Sequence, residues 1–172
     1  MTGLRLSAVG EGISVRISTI IDGAADPILV LEALQNIFPE ADPELPESPK
    51  FPSKASTKIE LEGISLATYL EKLHQQRILD TAMDHMSRRI FDKRTTFDLS
   101  RQAALVGKIA FPIPGEMPLG GVITVELSGE DISDWIEAAT WHRGRVSIPR
   151  NIGDDLRMRF DGDAITWHRE PE

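Results

Sequence analysis

The chain contains no cysteine, which removes disulfides, thiol nucleophiles and thiolate zinc sites together. Aromatic residues are scarce as well, 6% of 172 residues, with one Tyr, three Trp and six Phe. Platforms on which unpaired bases could stack are therefore thin. Phe91, Phe97 and Phe111 fall near the most basic stretch, but strand alternation assigns Phe97 and Phe111 to the core. No RNP-type aromatic motif is present, so sequence-specific reading of single strands is not indicated. No apolar run reaches the ~20 residues of a membrane span, and Met1 leads into no apolar leader segment. A soluble, cytoplasmic protein is the expectation.

Motifs of catalysis are missing too. There is no GxSxG elbow, no GxxxxGK[ST] loop and no GxGxxG turn. His74, His85, His142 and His168 lack ligand spacing and have no acidic cluster to complete a shell, so neither a metal nor a cofactor is expected. Asp80 and Asp84 share a helical face and invite comparison with an acid/base pair. Arg77, Asp80, Asp84 and Arg88, however, form a ladder at i, i+3, i+7 and i+11 that reads as a self-neutralising, solvated face, at ~0.2–0.5 kcal/mol per pair. The chain is expected not to be an enzyme.

Positive charge is in deficit, with 19 Lys and Arg against 27 Asp and Glu and a net charge of −8. The deficit is uneven. From Lys72 to Lys108 eight Lys/Arg stand against four Asp, a local +4 that leaves −12 for the rest. An acidic protein repels polyanions in general, so a basic island is where a phosphate-bearing partner would be held.

Periodicity gives the frame. Ile13, Val15, Ile17 and Thr19 alternate as a first strand. Asp26-Pro27 caps and opens a helix with Leu29, Ala33, Leu34 and Ile37 inward, and Pro39 ends it. Residues 40–56, with Pro43, Pro46, Pro49 and Pro52, read as a long surface loop. Thr57, Ile59 and Leu61 make a second strand. Gly63 turns into a helix capped by Ser65 with Leu66, Leu70 and Leu73 inward, and Ile78, Ala82, Met86 and Ile90 mark a further helical stretch. Whether the two helices join near Gln75 is open at this level. Thr95, Phe97 and Leu99 form a third strand and Ser100–Gly107 a short helix or turn. Ile109 and Phe111 begin a fourth strand; Ile123, Val125 and Leu127 make a fifth. Asp131 then opens a helix with Ile132, Trp135, Ile136 and Ala139 inward, Arg145–Ile148 is expected as a strand, and Asp161-Gly162 signals a hairpin.

Several separated segments carry a resemblance: VRISTI, then Gln35-Asn36-Ile37-Phe38-Pro39, Gln76-Arg77-Ile78-Leu79-Asp80-Thr81-Ala82, Arg101-Gln102-Ala103-Ala104, Val106-Gly107-Lys108 and Pro118-Leu119-Gly120-Gly121. Between about Ile13 and Ser128 the chain resembles a small archaeal family that bears an RNA-binding label, with a fold held to be similar to the large-subunit ribosomal protein L five. Departures are Asp22-Gly23-Ala24-Ala25-Asp26 after the first strand, Met83 where a basic residue is expected, and Arg101 where lysine is usual.

Together these readings predict an α+β fold, a mixed, largely antiparallel sheet with helices packed mainly over one face, ribosomal-protein-L-five-like as the resemblance implies. Residues 1–128 would form the RNA-binding-like domain, and residues 129–172 a helix-plus-hairpin extension docked on it. The expected function is non-catalytic binding of structured RNA through phosphates. Arg77, Arg88, Arg89, Lys93, Arg94, Arg101 and Lys108 would supply charge in one continuous patch, and Gln102 a hydrogen bond. Acidic residues of the 40–47 loop and the C-terminus are expected elsewhere, and Arg101 and Lys108 together are expected to be replaceable by Ala with little loss of stability. The alternative is a protein-interaction or homodimerisation module without nucleic acid, anchored on Trp135 or Trp141.

Overall fold

The computed structural model describes residues 5–46 and 56–157, and the Asp161-Gly162 hairpin lies outside them. Four strands, β1 (Ser14–Ile21), β2 (Thr57–Glu62), β3 (Arg94–Ser100) and β4 (Val122–Ser128), form one sheet in the order β2-β1-β4-β3. Every pairing is antiparallel, so the sheet is not mixed among the described residues. Five α-helices accompany it: α1 (Pro27–Ile37), α2 (Ala67–Gln76), α3 (Leu79–Ser87), α4 (Arg101–Leu105) and α5 (Ile132–Ala139).

Alternation in the strands fixes which face is buried. Val15, Ile17, Ile21, Phe97, Leu99, Ile123, Val125 and Leu127 point into the core, where the helices contribute Val30, Leu34, Leu73, Met83, Met86 and Ile136. Burying side chains of this size contributes ~1.5–3 kcal/mol each. The opposite face carries Arg16, Lys58, Glu60, Glu62, Arg94, Asp98, Thr124 and Glu126. Arg16 reaches Glu62 at 2.7 Å and Glu60 at 3.4 Å, and Thr124 Oγ1 donates to Asp98 at 2.7 Å. That face is polar and paired within itself.

Local chemistry explains most boundaries. Asp26 Oδ1 accepts from Ile28 N at 2.9 Å and Pro27 occupies the first turn, so α1 starts as expected. Its inner stripe is Pro27, Val30, Ala33, Leu34 and Ile37, while Leu29 is exposed, a rotation of the expected face. The question near Gln75 is settled by Arg77, which adopts φ 58° and breaks α2 from α3. A left-handed non-glycine residue costs about 1 kcal/mol or more, here in exchange for turning α3 back across the sheet.

Two expected strands do not form. Ser100 N donates to Ala110 O at 2.8 Å, as the first rung of a ladder would. Pro112 and Pro114 then lack the N–H groups needed to extend it, and Ile109 instead exchanges both backbone bonds with the Gln76 side chain. Residues Arg143–Val146 make a 3-10 turn, because His142 Nδ1 accepts from Gly144 N at 3.2 Å and closes the chain on itself. Trp135 of α5 sits in the same buried cluster as the sheet and is 7% exposed. It offers no interface anchor; Trp141, 52% exposed, remains available.

Candidate nucleic-acid interface

The segments that carry the family resemblance converge on α4 and its flanks, at one end of the sheet. Asn36 Nδ2, on α1, donates to the carbonyls of Ala104 and Leu105 at 3.0 and 3.1 Å. Lys72 Nζ, on α2, donates to Gly107 O at 2.9 Å. Gln76 Nε2 donates to Ile109 O at 2.8 Å while its Oε1 accepts from Ile109 N at 2.7 Å. Asn36 meets carbonyls at the end of the short helix, where such groups lack intrahelical partners, while Lys72 and Gln76 hold the backbone just beyond it. A five-residue helix could not hold itself; long polar side chains from α1 and α2 hold it.

Arg101 completes the junction from beneath. Its Nε donates to Gly120 O at 2.7 Å, and its Nη1 to Thr19 Oγ1 at 2.9 Å and Ile20 O at 2.7 Å. The residue is 8% exposed. Burial pulls its pKa below the ordinary guanidinium value, with nearby Asp22 acting against that pull. Gly120 and Gly121 adopt φ of +84° and +79°, and a Cβ on Gly121 would stand 3.0 Å from Arg101 Nη2. Both glycines are needed for their backbone angle, and Gly121 also for its closeness to the guanidinium, while a Cβ on Gly120 would stand 3.3 Å from Gln102 Cβ. The expected phosphate ligand Arg101 is therefore a clamp between β1, α4 and the 118–121 turn, because its donors are spent on two backbone carbonyls and the Thr19 hydroxyl.

The other basic residues divide. Arg88 donates to Asp155 Oδ2 at 2.9 Å. Lys93 pairs with Glu130, and Arg94 lies 3.8 Å from Glu126 on the open sheet face. Arg77, Arg89, Gln102 and Lys108 are exposed, and Arg77, Arg89 and Lys108 show no ion pair among the described residues. The single continuous patch of seven cations is thus not formed: Arg101 is buried, and Arg88, Lys93 and Arg94 have carboxylate neighbours. A C-terminal acid, Asp155, lies within the basic island instead of apart from it.

Backbone order relates the three open cations. Arg77 follows Gln76 and Lys108 precedes Ile109, so they flank the same doubly bonded junction. From there residues 108–116 run past the end of β3, where Phe111 stacks on His85 with ring centroids 4.6 Å apart. They reach Pro112–Glu116, which with His85, Arg88, Arg89 and residues 96–98 of β3 line a cavity of about 50 Å³. A pocket for a small organic ligand needs ~300–1,000 Å³, so this is surface relief and not an enclosed site. Asp98 and Glu116 share its wall. Arg77 and Arg89 stand at opposite ends of α3, roughly 14 Å of helix apart. His85 adds no charge at neutral pH, because burial, then Arg88, holds its pKa below the usual 6.5 while Asp155 opposes them.

The Asp80/Asp84 face is not a solvated ladder. Asp80 Oδ1 is met by Arg145 Nε and His142 Nε2, each at 3.0 Å, and Asp84 by Arg150. Burial works to raise the Asp80 pKa, but the hydrogen bonds and charges of His142 and Arg145 prevail and hold it below 3.8. For Asp84 burial prevails and lifts it above 3.8 despite Arg150. The partners come from the segment after α5, too remote in sequence for helical spacing to reveal them. Among the described residues no group of three or more His, Asp or Glu is placed to hold a metal, and no helix is long and apolar enough to cross a membrane.

The fold and the α4 junction define an α+β domain with an antiparallel sheet covered by helices on one face. A protein of Sulfurisphaera tokodaii named UPF0201 protein is 33% identical over 118 residues, 64% of this chain and 77% of the relative. The chain belongs to the archaeal UPF0201 family. The crystal structure of the UPF0201 protein from Methanococcus jannaschii is similar with a TM-score of 0.63 and 28% identity, covering 76% of this chain and 96% of that one. A UPF0200/UPF0201 protein of Archaeoglobus fulgidus is 32% identical over 106 residues, which are 62% of this chain and 30% of that relative. No protein-family model matches the chain. The archaeal kinship expected from the motifs is thereby shown.

Proposed function

We propose that this protein binds structured RNA without catalysis, in the cytoplasm, through phosphate contacts made by Arg77, Lys108 and Arg89. Gln102 is exposed beside the same junction and offers a hydrogen bond to a phosphate, ribose hydroxyl or base edge. The observation that carries the reading is that, within the basic stretch 72–108 of a chain with net charge −8, three exposed cations stand without an ion pair among the described residues. In such a chain these positions are where a polyanion meets least repulsion. A fold akin to ribosomal protein L five belongs to the same proposal and rests on the motifs gathered around α4. Phosphate contacts give affinity with little sequence choice, in keeping with the scarcity of stacking aromatics.

Titration of a labelled RNA hairpin at rising salt tests it. Three phosphate contacts should give a log–log slope of about −2 to −3. The triple variant Arg77→Ala, Arg89→Ala, Lys108→Ala should lose most of that slope while its thermal melt stays close to the parent, since none of the three is buried. No binding at low salt, or an unchanged slope in the triple variant, rejects the reading.

One observation favours a second reading, a protein-interaction or homodimerisation module. In the Archaeoglobus fulgidus relative the matched region is 30% of a longer chain whose name joins two families. Here a partner surface would draw on Ile113, Met117 and Leu119, all exposed in the loop before β4. For self-association, light scattering should show a mass above the 19.1 kDa monomer that rises with concentration. A constant 19.1 kDa removes the homodimer.

A further inference from the structure

The outer face of α3 presents Asp80, Asp84 and Arg88 at intervals of four residues, one per turn. The segment after α5 meets them in the same order: His142 and Arg145 on Asp80, Arg150 on Asp84, Asp155 on Arg88. It therefore runs along α3 from the first turn to the last as a charge-matched strap. The sign pattern reverses at the final rung. Over the first two turns the strap supplies cations to helix carboxylates; at the third it supplies a carboxylate to a helix arginine. That arginine is Arg88, neighbour of Arg89 and wall of the 50 Å³ cavity.

The carboxylate is held in position by a built turn. Asn151 N donates to Asp154 Oδ2 at 2.7 Å and Asp154 N to Asn151 O at 3.2 Å. Ile152 packs against the core, and its N–H donates to Glu137 Oε1 at 3.3 Å. The Asp155 side chain is 16% exposed and that of Arg88 is 32%. Asp155 is near enough to His85 and Asp84 to push the pKa of each upward. A carboxylate oxygen 2.9 Å from a guanidinium occupies the place, and makes the bond, that a phosphate oxygen would.

We propose that the 141–155 strap is an intramolecular competitor of RNA, with Asp155 withholding Arg88 from RNA phosphates until the strap is released. The inference rests on the RNA reading above and adds its regulation. A tethered competitor acts at a high effective concentration, so Arg88 should contribute nothing to binding in the parent protein and should contribute once Asp155 is neutralised.

The test uses the full chain and a labelled RNA hairpin across a salt series. Asp155→Asn should tighten binding roughly two- to fivefold, the span of a partly exposed ion pair. It should also steepen the salt slope by about 0.7–0.9, the signature of one added phosphate contact. Glu32→Gln, an equal charge change on the exposed side of α1, should leave the slope unaltered. Arg88→Ala should be silent alone and should cancel the gain when combined with Asp155→Asn. Binding by the parent with no gain in Asp155→Asn, or a gain that survives Arg88→Ala, overturns the strap's role and leaves the RNA reading standing. Binding by none of the proteins at low salt overturns the RNA reading and the strap's role with it.

Discussion

Replacing Arg101 by alanine should destabilise the domain by about 3 kcal/mol, enough to lower the melting temperature of a chain this size by roughly 6–12 °C. The guanidinium joins three elements distant in sequence: Thr19 and Ile20 at the end of β1, its own helix α4, and Gly120 in the turn before β4. Without it the carbonyls of Ile20 and Gly120 lose a charged donor, and each such loss costs ~1–3 kcal/mol where water cannot substitute. Thr19 Oγ1 suffers least, because it keeps its bond to Val122 O at 2.8 Å. Lysine brings charge but not the fork, so Arg101→Lys should cost about half as much. Urea melts of both variants check the order Arg101, Lys, Ala. Equal stability of Arg101→Ala and the parent would return the residue to the list of RNA ligands.

Arg101 also shows what could and could not be read in the sequence. The alternating strands and the helix caps are local signals, and β1, β2, β3, β4 and α1 stand where Val15, Ile59, Phe97, Val125 and Asp26-Pro27 put them. Charge was legible only as composition. Nothing in the string separates an arginine that faces solvent from one that binds a carbonyl 81 residues away and a hydroxyl 82 residues away. The one hint was the glycine pair at 120 and 121, which signals a close backbone approach without naming what approaches. Gln76 and Asn36 were visible as motif residues, yet their bonds to α4 and its exit depend on how the helices cross. The strand expected at Ile109–Phe111 failed for a reason written locally, two prolines one residue apart.

The exposed cations are separated from the paired ones by the same long-range geometry. Arg77, Arg89 and Lys108 interrupt regular structure: Arg77 in a left-handed break, Arg89 after the last turn of α3, Lys108 at the exit from α4. Arg88, Lys93 and Arg94 lie on or beside a regular element whose neighbours include acids. In a chain with 27 acidic residues, these three find a carboxylate, Lys93 even in its left-handed turn at φ 61°. This is why a count of eight basic residues overstated the free charge, and why the rim is short.

Asp80→Ala should be the most damaging single change on the outer face of α3, costing about 2 kcal/mol at neutral pH. The reason lies in its partner. The Arg145 side chain is 6% exposed and has only Asp80 for a counter-ion among the described residues, its remaining bonds going to Glu137 O and Thr140 Oγ1 at 3.2 Å. Removing one member of a fully buried pair costs ~3–5 kcal/mol; here Asp80 is 35% exposed, so water recovers part of it. Arg145→Met, which removes the buried charge together with its need for a partner, should cost less than Asp80→Ala, and the double variant should cost less than the sum. The pH dependence has a fixed sign. The folded pKa of Asp80 is depressed below the ordinary 3.8, so its contribution is complete above that value and is lost as pH falls through the depressed one. The difference in stability between parent and Asp80→Ala should therefore be constant at neutral pH and shrink only in strong acid. Urea melts of the four proteins of this cycle at both pH values decide it: a difference that persists unchanged in acid, or an Arg145→Met penalty larger than that of Asp80→Ala, would show that packing and not the ion pair holds the strap to α3.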